Sequence, residues 1–137
     1  MNIQQYDPAT LQLISSNVTG VDFGIAYQGN PSDEIVLIKP VKTIENNFLQ
    51  LELFLQNDGG LTQSQYRYLL QDQVTGIPAR SDLTGEFLQT DFPSFSGDGS
   101  ASFNSMTPEY AWLDVKAGDS EINSSSNVEF SFVFEYN

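Results

Sequence analysis

Asn127-Val-Glu-Phe-Ser-Phe-Val-Phe-Glu-Tyr136 sets Val128, Phe130, Phe132, Phe134 and Tyr136 at every second position. A strand through this stretch carries one continuous apolar face. A second run, Asn47-Phe-Leu-Gln-Leu-Glu-Leu-Phe-Leu-Gln56, repeats the pattern with Leu49, Leu51, Leu53 and Leu55 opposite Gln50, Glu52 and Gln56. Two long strands that are each apolar on one side need a second sheet to cover them, which is the requirement a β-sandwich meets. Phe54 and Val133 fall on the opposite faces of these strands, and this second apolar surface calls for cover by a loop, a terminal arm or a neighbouring subunit.

Working outward, Leu11 to Ile14 and Val18 to Tyr27 read as the first strands, ended by the turn Gln28-Gly-Asn-Pro31. Glu34 to Ile38 reads as a short strand stopped by Pro40. Asn57-Asp-Gly-Gly60 suits a tight reversal. Gln65 to Gln71 alternates through Tyr66, Tyr68 and Leu70 and reads as a strand, with a helical turn as its alternative. Gly85 to Phe95, with Phe87, Phe92 and Phe95, is a strand candidate, and Ala101 to Asn104 its return arm. Tyr110 to Lys116 is a further strand, and a polar loop over Gly118 to Asn127 leads into the last one. Strands separated by Gly, Pro, Asn and Asp, without intervening helical periods, predict an all-β chain. The expected fold is a single immunoglobulin-like antiparallel β-sandwich of about seven to nine strands. Residues 1–10 are expected to be a polar N-terminal arm and residues 11–137 the sandwich domain.

Composition narrows function by exclusion. Among 137 residues, 18 acidic side chains stand against 5 basic ones, for a net charge of −13. Phosphate backbones are bound by cations that release counterions, so nucleic acid is not an expected partner, nor is an anionic membrane surface. The chain contains no Cys, and hence neither disulfides nor thiol chemistry. It contains no His either, which removes the usual general base near neutral pH and the commonest metal ligand. The expectation is a non-enzymatic protein without cofactors. Met1 to Pro8 shows no basic or apolar leader pattern, so no secretory signal is expected, and no apolar run approaches spanning length.

Three Asp and Gly turns, Asp58-Gly59, Gly97-Asp98-Gly99 and Gly118-Asp119, offer the oxygen ligands that calcium takes. None repeats acidic ligands at the spacing of a dedicated loop, so turn chemistry accounts for them and no metal is expected. Glu52 with Glu129 or Glu135 forms the kind of carboxylate pair that glycoside hydrolysis uses, but alternation turns these side chains away from the core. In Tyr110 to Lys116, Ala111, Leu113 and Val115 can fill a core, sending Tyr110, Trp112 and Asp114 outward. In the opposite register Trp112 is the core's largest residue. An outward Tyr110 and Trp112 have the composition of protein contact anchors or sugar platforms.

Val21-Asp-Phe-Gly24, then Gly29, then Glu34-Ile-Val-Leu-Ile38 resembles the opening of immunoglobulin-like modules of the abnormal-spindle/hydin type. Lys39-Pro40 stands where those modules carry Asn-Thr-Gly. The chain as a whole also resembles small virion proteins of tailed bacteriophages in its length, acidity, lack of Cys and His, polar N-terminal segment and closing Phe130 to Tyr136 strand. That resemblance implies a phage capsid decoration (cement) protein localised to the virion, made in the host cytoplasm and binding the major capsid protein or other virion subunits. A tail or neck component, and self-association into a homo-oligomer, are compatible with it. The contacts it implies are the arm Met1 to Pro8 together with Tyr6, Tyr110 and Trp112. One rival is a carbohydrate- or receptor-binding module using Tyr110, Trp112 and Tyr66; the other is an enzyme using Glu52 or Asp114.

Overall fold

The computed structural model describes residues 2–18, 20–26, 29–41, 43, 48–57, 66–87, 93–97, 107–116, 123–125 and 128–136, with the backbone alone along 25–26, 48–49, 55–57, 123–125 and 128–136. In chain order the strands are β1 (Asn2–Tyr6), β2 (Leu13–Ser15), β3 (Gly20–Val21), β4 (Gly24–Ala26), β5 (Val36–Val41) and β6 (Phe48–Asn57). They continue with β7 (Tyr66–Gln71), β8 (Gly85–Glu86), β9 (Ser94–Ser96), β10 (Tyr110–Val115), β11 (Asn123–Ser125) and β12 (Val128–Tyr136). Among the described residues the helical structure is one short 3₁₀ turn, Arg80–Asp82.

Sheet A has the order β2-β1-β5-β10-β7-β8 and sheet B the order β3-β12-β6-β9, while β4 and β11 form a separate ribbon. Every ladder is antiparallel, so the fold is the all-β antiparallel sandwich that the alternation predicts. The winding follows one rule. β3 pairs with β12, β4 with β11, β5 with β10, β6 with β9 and β7 with β8, each pair nested inside the one before. The chain from β3 onward is therefore one long hairpin, its tip lying between β7 and β8, rolled up so that β12 meets β6 and β10 meets β7. This is the double Greek key of a jelly roll, a sandwich wound differently from immunoglobulin domains but built on the same two packed sheets.

Alternation places the core between the sheets. Val36, Ile38, Tyr66, Tyr68, Ala111, Leu113 and Val115 from sheet A meet Val21, Leu51, Leu53 and Phe95 from sheet B in one continuous buried cluster. Tyr66 packs edge-on against Phe23 at 5.9 Å, and Tyr68 against Phe87 at 5.5 Å. The leucine run thus behaves as its spacing predicts at Leu51 and Leu53. β12 aligns Phe130, Phe132 and Phe134 with Leu55, Leu53 and Leu51, and its side chains lie outside the described residues.

Sheet A is buried on its second face as well. The hairpin tip folds back over it, and Leu83 from that segment joins Ile35, Leu37 and Trp112 in a second apolar cluster, with Val74 packed against it. A sheet covered on both sides reads as a run of apolar residues without alternation, which is what Ile35 to Ile38 and Ala111 to Leu113 show.

Two expectations need correction. Residues 1–10 are not a free arm: Asn2–Tyr6 is an internal strand of sheet A, between β2 and β5, with Ile3 only 3% exposed in the main core. Nor does Pro40 stop β5, since it lies within the strand opposite Ile3. Ile3 accepts from the Val18 N–H and donates its own N–H to Asn17, both away from β5. The Ile3–Pro40 pair is therefore a non-hydrogen-bonded one, and the missing proline N–H points to the side where the β10 ladder has already ended at Ala111–Ile38. The turn at 58–60, Phe92 and the arm at 101–104 lie outside the described residues.

Candidate functional site

The outer face of sheet A carries two side-chain rows fixed by strand register. Tyr6 pairs with Leu37, Leu37 with Trp112, and Trp112 with Leu69, which makes one row across β1, β5, β10 and β7. In the neighbouring row Gln4 pairs with Lys39, and Tyr110 with Gln71. The rows interlock. The Tyr6 and Tyr110 rings meet edge to face at 6.2 Å and 70°, a favoured aromatic geometry. The Tyr6 hydroxyl donates to Gln4 Oε1 at 2.5 Å.

Lys39 Nζ sits 5.1 Å from the centre of the Tyr110 ring and 3.2 Å from Glu109 Oε2. Burial alone would lower the Lys39 pKa, but the hydrogen bond to Glu109 and the nearby Tyr110, Glu109 and Tyr6 groups outweigh it, so the ammonium is held above its ordinary value. The only tryptophan lies underneath. Trp112 is 0% exposed, and its indole N–H donates to Gln71 Oε1 at 2.9 Å.

Tyr6, Leu37 and Tyr110 from these rows form the floor of a groove of about 480 Å³. Tyr6 and Tyr110 line it together with the apolar Leu37 and Val74, while exposed Asp72 and Gln73 and the half-buried Glu109 supply polar groups. Leu11 also lines it and has a left-handed backbone, φ 60°. A leucine in that region is strained, since the conformation favours glycine. The β1–β2 turn imposes it. Asp7 Oδ1 accepts the N–H groups of Ala9 at 2.8 Å and Thr10 at 3.0 Å, and Asp7 O accepts the Leu11 N–H at 2.8 Å. The backbone N–H groups of Thr10 and Ala9 hold the Asp7 carboxyl below its ordinary pKa.

Beyond the groove, Asp114 is 0% exposed on the same face, bound at both oxygens by Arg67 and at one by Arg80 at 3.2 Å. Arg80 also donates to Ser32 O at 2.9 Å, tying the hairpin tip to the loop before β5. On the other side of the groove the turn continues into β2, an edge strand whose Leu13 and Ile14 are 51% and 58% exposed.

The structure brings Tyr6 and Tyr110 together, as neighbours in one groove. Trp112 does point away from the main core, as one of its two registers required, yet the hairpin tip covers it. It supports the aromatic pair and presents no surface for contact. Tyr66 is not a surface platform either, because it faces the inner core at 1% exposure. Glu52 neighbours the inward-facing Leu51 and Leu53 on sheet B, so it and Asp114 lie on opposite outer faces of the sandwich and share no site. Leu11, Asp72 and Gln73 were not anticipated. The one trace of Leu11 in the sequence is its position just after the turn signal Asp7-Pro8.

Among the described residues no three acidic side chains converge as a metal-holding group, and no helix is long and apolar enough to cross a membrane. Comparison with protein-family models, curated proteins and solved structures returns no match.

Proposed function

We propose that this chain is a non-enzymatic structural protein of a phage virion, of the capsid decoration type, which attaches to protein subunits through its N-terminal hairpin. The observation that carries the reading is the charge-free apolar edge of that hairpin. From Pro8 to Val21 the sequence has no ionisable side chain, in a chain of net charge −13. Within it Leu11, Leu13 and Ile14 are 44%, 51% and 58% exposed. β2 is short and bulged at Ile14, which discourages strand addition, so the docking surface is its exposed, uncharged apolar side chains. The jelly-roll winding is one that virion domains use, an analogy that adds weight without deciding function.

Attachment through such an edge is apolar and hydrogen-bonded, with little long-range charge attraction. Purified protein sedimented with empty phage capsids is expected to stay bound at about 1 M salt, where screening reaches ~3 Å. The double variant Leu13→Ser, Ile14→Ser should remain folded and lose attachment. Stripping of the unmodified protein by moderate salt would overturn the apolar edge and place the interface on Lys and Arg side chains.

A further inference from the structure

From the groove on sheet A we infer that the same chain carries a binding site for a short neutral saccharide, which borders the docking hairpin at Leu11 and takes its polar groups from Asp72, Gln73 and Glu109 outside it. Three features specify the ligand. Two half-buried tyrosine rings, set edge to face and with Lys39 over Tyr110, line the groove, and their remaining apolar surface suits the C–H groups of a pyranose. Asp72, Gln73 and Glu109 beside them are planar acceptors or mixed donor–acceptor groups, suited to hydroxyl pairs. The volume of about 480 Å³ falls within the range of about 300–1,000 Å³ typical of small-molecule sites.

Charge excludes the nearest alternative. Lys39 is the cation nearest the tyrosines, and it is engaged by Glu109 at 3.2 Å and the Tyr110 ring at 5.1 Å. The groove therefore presents acidic oxygens without an uncommitted cation among its described lining, and sulfated or carboxylated sugars are repelled. An extended peptide is disfavoured on different grounds. Strand addition uses a free backbone edge, whereas the groove lies on the face of a sheet whose backbone groups are occupied by the β1–β5–β10–β7 ladders.

Leu11 adds an apolar rim. Its left-handed backbone is a cost that glycine would avoid, yet it sets an apolar side chain at the rim of this groove. The tyrosine pair is held before any ligand arrives, Tyr6 by its hydrogen bond to Gln4 and Tyr110 by Lys39 over its ring.

The test is an NMR titration of the whole chain with cellotriose, maltotriose and N-acetylchitotriose, each raised to roughly ten times the ~1 mM dissociation constant of a weak site. At least one should shift the amides of Leu11, Asp72, Gln73 and Tyr110 with saturation, leaving those of β9 unmoved. Tyr110→Leu should weaken that binding tenfold or more. Because Tyr110 is half-buried, Asp72→Ala serves as the second variant, and it should weaken binding without changing the thermal unfolding midpoint. No shift with any of the three, tighter binding of 3′-sialyllactose, or displacement of the same amides by an extended peptide would overturn the site. Capsid sedimentation with Asp72→Ala separates the two functions: unchanged attachment with lost sugar binding is the expected pattern. Loss of both would merge the groove with the docking surface and overturn their separation.

Discussion

Arg67 and Asp114 stand directly opposite each other on β7 and β10, and the guanidinium holds the buried carboxylate through Nε at 2.9 Å and through its terminal nitrogen at 2.5 Å. Arg80 adds a third hydrogen bond to the same carboxylate from the hairpin tip. Asp114 is thereby a joint between sheet A and the segment that covers it.

Breaking this joint from one side leaves two guanidinium groups without their shared anion. Asp114→Ala is expected to destabilise by about 3–5 kcal/mol, the usual range when one member of a buried pair is removed. Urea unfolding followed by tryptophan fluorescence reads it directly, since Trp112 lies under the same cover. A loss under about 1 kcal/mol would show that water already reaches the carboxylate.

Gly85 pairs with Tyr68 across β7 and β8, and a Cβ built on it would lie 2.5 Å from the tyrosine ring. The backbone of β8 is thus packed flat on an aromatic face. Gly85→Ala should cost about 1–3 kcal/mol through overpacking, despite alanine's smaller loss of backbone entropy on folding. In the double variant with Tyr68→Leu much of that penalty should vanish, and equal penalties in both backgrounds would refute the contact.

Because β1 lies inside sheet A, the N-terminal residues should behave as core. Ile3→Ala is expected to destabilise by about 2–5 kcal/mol. Deleting residues 1–6 should unfold the domain or lower its unfolding midpoint sharply, as circular dichroism would show. A truncated chain of unchanged stability would restore the free-arm reading.

The turn at Asp7 predicts a local dependence on pH. Its carboxyl titrates below the ordinary aspartate value of about 3.8, because the backbone N–H groups of Thr10 and Ala9 favour the anion. A depressed folded pKa contributes stability that is present above the unfolded value and lost as pH falls through the folded one. Protection of the Ala9 to Leu11 amides, taken relative to their intrinsic exchange rate at each pH, should therefore fall below about pH 3.8. Asp7→Asn should remove that pH dependence.

Legibility in the sequence followed local period. Leu51 and Leu53, and Tyr66 and Tyr68, showed their faces directly, since alternate residues of β6 and β7 enter the main core. β1 did not, because Ile3 alone among Asn2–Tyr6 enters the core and one apolar residue makes no period. Trp112 was ambiguous for a reason the structure explains: sheet A has two buried faces, so pointing outward and being covered are compatible. Of the groove, Tyr6 and Tyr110 stood out in the sequence and the rest did not. Its parts come from residues 6, 11, 37, 72–74 and 109–110, and no local pattern records that register and a folded-back hairpin tip bring them together.

The nested pairing also bears on how the chain is made. β12 occupies an inner position in sheet B, hydrogen-bonded to β3 on one side and β6 on the other, yet it follows every other strand in sequence. While the ribosome is still extending the chain, β6 has emerged without the neighbour that covers most of its length, and its edge is open to other nascent chains. The tip pair β7–β8 closes a short loop and can form early, but the outermost pair joins segments separated by most of the sequence and pays the largest closure entropy. Folding of this domain is thus completed only after translation of β12, and a chain stalled before that point exposes the leucine strand.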